Sequence, residues 1–256
     1  MRKPYSIYLP DWETCSGGIR VLYGLYGGLL TKGQVVIPNM TTTESDYITI
    51  YPEIVRGTPL SNPVTRQTVV RYLLNKPGTM ALYGTPGPTT FDKTDLIYSF
   101  SKMYYDTNDK HTLFLPILDL HTFKDQKKNR NKKCVFIGKG EDKHLHPEGC
   151  IAIDRKFAED QQALADLLNE CEIMYSYDPI SAMTEIARLC GCRVVLLQNI
   201  YSKSEYRDYE PGLNGMSFGL DEEVKLDTEG FRSHYGLLKK TFSVKLDMFI
   251  EDTQNA

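Results

Sequence analysis

The chain predicts an α/β fold with two parallel sheets, and three observations carry that prediction. Short apolar runs of strand length alternate with helix-patterned stretches for most of the chain. The first alternation, a strand, then Ser16-Gly17-Gly18, a helix and a second strand, is a βαβ unit, which by chirality and burial belongs to a parallel sheet. The alternation starts afresh beyond the basic, unpatterned run Lys124–Lys133, which reads as a linker and divides residues 1–125 from 126–241.

Each element has its own justification. Tyr5 to Leu9 alternates and stops at Pro10-Asp11, as a short strand does. Apolar residues at 19, 22, 25, 26, 29 and 30 keep helical spacing, and Gly33 stands where a helix C-cap belongs. Strands are expected at Gln34–Ile37, Tyr47–Tyr51, Asp95–Phe100 and Thr112–Pro116, with a helix over Val64–Leu74 that ends at Asn75-Lys76-Pro77-Gly78. In the second half the expected strands are Cys134–Ile137, Cys150–Ile153, Ile173–Tyr177 and Val194–Leu197. One helix carries Leu164, Leu167, Leu168 and Cys171 on a single face, and another is capped by Asp178, opens at Pro179 and ends at Gly191. No repeat of 20 to 50 residues is visible.

Composition narrows the function classes. The 256 residues are 41% hydrophobic and 25% charged, which excludes disorder and fibre. Thirty Lys and Arg against 33 Asp and Glu leave a net charge of −3, too little field to hold the whole molecule to nucleic acid. The apolar stretch Ile19–Leu30 is broken by Arg20 and three glycines, so no membrane span is expected, and the N-terminus lacks the apolar core of a secretory signal. A cytoplasmic protein is the expectation. The six cysteines, several inside apolar runs, read as buried free thiols. His144, His146 and Cys150 share a polar loop with Lys143 and Pro147, and no metal site is expected there.

In open parallel sheets ligands bind beyond the carboxyl ends of the strands, so the loops there are the informative ones. Ser16-Gly17-Gly18 lets a ligand approach backbone amides at a helix start. Gly138-Lys139-Gly140 puts a compact positive charge where a diphosphate can be met. The segment Tyr177, Asp178, Ser181, Ala182, Met183, Thr184, Glu185 brings a strand to a helix whose first amides favour an anion. Absence of G-x-G-x-x-G with a following acid, of a P-loop and of G-x-S-x-G disfavours nicotinamide enzymes, kinases and hydrolases.

Ser16-Gly17-Gly18 with the Gly33 turn, Tyr51–Gly57, Val70–Gly78, Phe136–Gly140 and Tyr177–Val195 together resemble GT-B glycosyltransferases of the retaining, family-4-like kind, and the resemblance runs from about Tyr5 to Val195. Surface-polysaccharide and phage-encoded sugar transferases are the similar groups. The resemblance implies two Rossmann-like domains with a cleft between them, and a helix over 242–252 returning to the first domain. It implies a nucleotide-sugar donor, a UDP-sugar first among them, held in the second domain by Gly138, Lys139 and the amides from Ser181 to Thr184. Glu185 stands for the carboxylate on the ribose, although it lies six residues before Gly191 where the family pattern has five. Neither a metal nor a resident cofactor is implied. An inverting transfer would need a base, for which Asp11, Glu13 and Glu53 are the candidates. The acceptor is expected to be a surface glycan. The first alternative is hydroxymethylated cytosine in DNA, with Lys124, Lys127, Lys128, Arg130, Lys132 and Lys133 on phosphates. A non-catalytic nucleotide- or carbohydrate-binding module is the second.

Overall fold

β-Branched and aromatic runs that cannot keep a helical face become central strands, and two five-stranded parallel sheets result. The computed structural model describes residues 2–41, 46–60, 67–82, 84–178, 180–197 and 201–256. The chain divides into one unit of Met1–Pro116 with Leu238–Ala256, and a second of Ile117–Leu237.

In the first unit the elements are β1 (Tyr5–Ile7), α1 (Gly17–Thr31), β2 (Val36–Pro38), β3 (Ile48–Pro52), β4 (Thr68–Leu73), the two-residue strands β5 (Ala81–Leu82) and β6 (Thr85–Pro86), and β7 (Leu96–Ser99). The sheet order is β2-β1-β3-β4-β7 with every pair parallel, while β5 and β6 form a small antiparallel ribbon. Ser16 caps α1 by accepting the Ile19 amide, and Val21, Leu22, Leu25 and Leu29 are its buried residues. Glycines on this helix admit large neighbours: a Cβ on Gly24 would stand 3.0 Å from Leu115, and one on Gly28 3.0 Å from Leu246. The last turns of the C-terminal helix, Thr228–Asn255, bury Leu246, Phe249 and Thr253. Phe249 packs on the rings of Tyr5 and Tyr98, and the Thr253 and Tyr5 hydroxyls are 2.7 Å apart.

Two expectations for this unit are corrected. The helix expected over Val64–Leu74 is strand β4 from Thr68 onward, and residues 64–66 lie outside the described ones. β4 lies between β3 and β7, so its central residues are buried on both faces and show no period-2 signature. Arg71, which imitates the polar side of a helix, is buried instead. Its Nε donates to Asp95 at 2.7 Å, and its guanidinium lies over the rings of Tyr51 and Phe91. Thr112–Pro116 makes only a single bridge, Ser99 to Thr112, and no strand, because β7 ends at Ser99 where the run begins to pair.

The second unit contains β8 (Lys132–Phe136), β9 (Ile151–Ile153), α2 (Arg155–Glu159), α3 (Gln161–Glu170), β10 (Cys171–Ser176), α4 (Ala182–Leu189), β11 (Arg193–Leu196) and β12 (Met216–Phe218). Its sheet runs β12-β11-β10-β8-β9, again parallel throughout. Asp154, Asp160 and Ser181 cap the three helices with their side chains. Ser181, not Asp178, is therefore the cap of α4, and Pro179 lies outside the described residues. Asp178 is drawn away by two loop amides, described below. Cys134, Cys171, Cys190 and Cys192 are buried free thiols, whereas Cys15 and Cys150 are half-buried.

The run Lys124–Lys133 is not a linker. It belongs to the second unit, and β8 starts inside it. Arg130 donates to the carbonyls of Leu168 (3.0 Å), Cys171 (3.3 Å) and Cys190 (2.6 Å), so it fastens the C-terminal ends of α3 and α4, where a cation suits the helix dipole. Among the described residues no helix is long and apolar enough to cross a membrane.

Candidate functional site

Both sheets have the strand order 2-1-3-4-5 when their parallel strands are counted along the chain. In such sheets the order reverses beside the first strand, and the loops leaving the two strands at that point splay apart and leave a crevice for a ligand. The switch points lie between β1 and β3 in the first unit and between β8 and β10 in the second.

At the second unit's switch point the two loops do not splay apart at their bases: the loop after β8 lies directly on the loop after β10. Glycine permits this. A Cβ on Gly138 would stand 2.5 Å from Asp178 Oδ2, and one on Gly140 would stand 2.6 Å from the Tyr177 carbonyl carbon. Gly138 also has φ +58°, the left-handed region where glycine is unstrained. Asp178, 3% exposed, joins the two loops: Oδ2 accepts the Lys139 amide at 3.1 Å and Oδ1 the Ile180 amide at 3.3 Å. Burial pushes its carboxyl above the usual carboxylate range, against the pull of the Lys139 charge and those two amides. The Lys139 side chain is exposed and leans toward the Ile180 carbonyl, 3.4 Å away, just before α4 begins. Gly138, Lys139, Asp178 and Ser181 are thus brought together.

The other predicted donor residues serve the fold. Tyr177 is fully buried, and its hydroxyl accepts the Leu145 amide at 2.7 Å and stands 3.0 Å from His146 Nδ1, which fastens the loop that carries His144 and His146. Among the described residues no group of three or more His, Cys, Asp or Glu has a metal-holding arrangement. Of the first amides of α4, those of Met183 and Thr184 already donate to the Ser181 hydroxyl and carbonyl. Glu185 is 5% exposed and accepts the Tyr209 hydroxyl, so its carboxylate is committed to the interior.

In the first unit the loops after β1 and β3 flank the switch point. The first carries Asp11, Glu13, Ser16, Gly17 and Gly18, and the second begins with Glu53. Asn39, at φ +51°, clamps the first loop by bonding both the amide and the carbonyl of Leu9. Asp11 and Glu13 are exposed. Glu53 is buried and accepts the Leu74 amide at 2.8 Å, tying the ends of β3 and β4.

Sequence reasoning missed three residues. Trp12, the chain's one tryptophan, is 55% exposed between Asp11 and Glu13 and is braced edge-on by Tyr23, whose hydroxyl holds the Pro10 carbonyl. Its position between two carboxylates in a post-strand loop was the available signal. Arg188 is fully buried in α4, bonded to the carbonyls of Thr184, Gly212 and Asn214 and stacked on Phe231, with burial pushing it down to about 10. Tyr209 covers Glu185 and gave no signal in the sequence. The basic strip named for DNA is largely neutralised: Lys127 and Arg130 pair with Asp125, Lys128 with Asp166, Lys132 with Glu170 and Lys133 with Glu172.

No family model matches the chain, and no curated protein matches it. Among solved structures, it is similar to an uncharacterized protein from Klebsiella pneumoniae subsp. pneumoniae NTUH-K2044, with 12% identity, 80% of this chain and 86% of that chain covered, and a TM-score of 0.42. A likeness so distant carries no argument about fold or function.

Proposed function

We propose that the chain is a glycosyltransferase that moves a sugar from a nucleotide-diphosphate donor to an acceptor hydroxyl, with the two units as the acceptor and donor halves of a GT-B enzyme. The observation that carries the reading is the second unit's switch point, where a glycine-flanked lysine faces the start of a helix. The Lys139 ammonium and the start of α4 offer the leaving diphosphate a charge and the positive end of a helix dipole. In a retaining transfer the departing phosphate itself takes the acceptor proton; an inverting one draws on Asp11 or Glu13, since Glu53 is occupied with the Leu74 amide.

A glycan acceptor is favoured over DNA. Trp12 offers an exposed aromatic face to the apolar side of a sugar ring, with carboxylates on either side for its hydroxyls. Five of the six cations named for DNA are paired with carboxylates. A second reading, a nucleotide-binding module without turnover, draws on Glu185, whose carboxylate is engaged by Tyr209 rather than presented to a ribose.

A thermal-shift screen with UDP, GDP, dTDP, CMP, ADP and their common sugars tests the reading, because a ligand of the native state stabilises it by RT ln(1 + [L]/Kd). One nucleotide is expected to raise the melting temperature. Lys139→Ala should weaken its binding by about 1.5–3 kcal/mol, the worth of a charge-assisted bond. No shift with any of them refutes a donor site, and binding without sugar transfer or donor hydrolysis selects the module.

A further inference from the structure

We propose that donor binding in the second unit is linked to a proton through Asp178, whose carboxyl takes up a proton from solvent as a diphosphate settles against Lys139 and the start of α4. The inference rests on the donor reading above.

Geometry makes Asp178 the group that senses an anion there. It is 3% exposed, so water offers little screening of its charge. Its two oxygens are bound to backbone amides of both switch-point loops, and Oδ2 occupies space that a Cβ on Gly138 would fill. The charged and titratable groups acting on it are Lys139 from the loop after β8, Arg155 from the start of α2, and the Tyr206 hydroxyl from the turn Glu205–Asp208. Burial already works against the charged form, and among the interactions that offset it the Lys139 charge comes first. A diphosphate claims that same ammonium and brings negative charge of its own to the loop. Both changes favour the neutral carboxyl, so binding and proton uptake must be coupled.

Isothermal titration of the full chain with UDP-glucose, GDP-mannose, dTDP-glucose and ADP-glucose, in buffers of different ionisation heat, counts the protons. Nucleotide-sugars are suitable probes because their diphosphate diester has no group titrating near neutral pH. The expected result is an uptake approaching one proton per bound donor, with affinity falling by up to about tenfold per pH unit as pH rises, and loss of both in Asp178→Asn. Donor binding without proton uptake, or uptake that persists in Asp178→Asn, overturns the inference and leaves the donor reading standing. Absence of binding by any of the four removes the donor reading and the inference with it. If Asp178→Asn does not fold, the Asp178 carboxyl carbon is titrated by NMR in the wild-type chain with and without donor. An upward displacement on binding supports the linkage, and an unmoved titration overturns it.

Discussion

Replacing Gly140 with alanine tests whether the two switch-point loops are truly in backbone contact. The added methyl would lie 2.6 Å from the carbonyl carbon of Tyr177 and 2.7 Å from its Cβ, and closer still to the carbonyl oxygen, where real Cβ contacts do not come under 3.0 Å. Because the obstacle is backbone, no rotamer relieves it, and the loops must separate by roughly 1 Å before the contact becomes ordinary. That retreat strains three bonds: Gly140 to the Ile137 carbonyl at 2.9 Å, Lys139 to Asp178 at 3.1 Å, and Tyr177 to the Phe136 carbonyl at 2.9 Å. With about 1 kcal/mol for each bond weakened and about 1–3 kcal/mol for overpacking, the loss should reach ~4–6 kcal/mol. Urea unfolding read by far-UV circular dichroism measures it, with the midpoint falling at unchanged slope. A loss below about 0.5 kcal/mol would mean that the loops do not touch, and the candidate site would lose its basis.

The remaining predictions use the same assay. Gly27→Ala lies inside α1 with nothing within 4 Å of the new methyl, so it should stabilise by about 0.5–1 kcal/mol, and any destabilisation would refute the described helix environment. Arg188→Met leaves the Gly212 and Asn214 carbonyls without their donor and should cost ~3–5 kcal/mol; a cost under about 1 kcal/mol would show that this cation is not buried. Asp252 has burial pushing its carboxyl up, but bonds from Lys110 and the Tyr98 hydroxyl outweigh it and hold the group below the usual range. A depressed folded value means that its stabilisation is present above the ordinary carboxylate value of about 3.9 and is lost as pH falls through the folded value. Asp252→Asn should therefore be less stable than wild type at pH 7, with the difference shrinking below about pH 4, and a pH-independent difference would contradict the linkage.

Local pattern carried a large part of the fold. Helix α1 was legible from its apolar spacing and from Gly33, α3 from its apolar face and α4 from its end at Gly191, whereas the cap at Ser16 was not legible. β4 was not legible. A central strand buried on both faces has no alternation, and the stop signal at Asn75–Gly78 serves a strand as well as a helix. Thr112–Pro116 has strand composition but finds a partner only at Ser99, since composition does not say whether a sheet edge is within reach. The loops of the candidate site were legible because glycine after a buried strand marks close backbone approach, and Gly138 and Gly140 both meet it.

By itself the sequence determined what depends on neighbours along the chain: the α/β alternation, the helix ends at Gly33 and Gly191, and the burial of four of the six thiols expected to be buried. Only the tertiary structure decided what depends on residues far apart in the chain. It turned Arg130 from a linker cation into the fastening of two helix ends, withdrew Glu185 beneath Tyr209, and spent Tyr177 on the loop at Leu145. It also joined Lys139 to Asp178 across 39 residues. The physical reason is the range of the forces. Helical periodicity, capping and φ preferences act within a few residues, whereas a buried charge or hydroxyl must be satisfied by whichever partner packing brings to it.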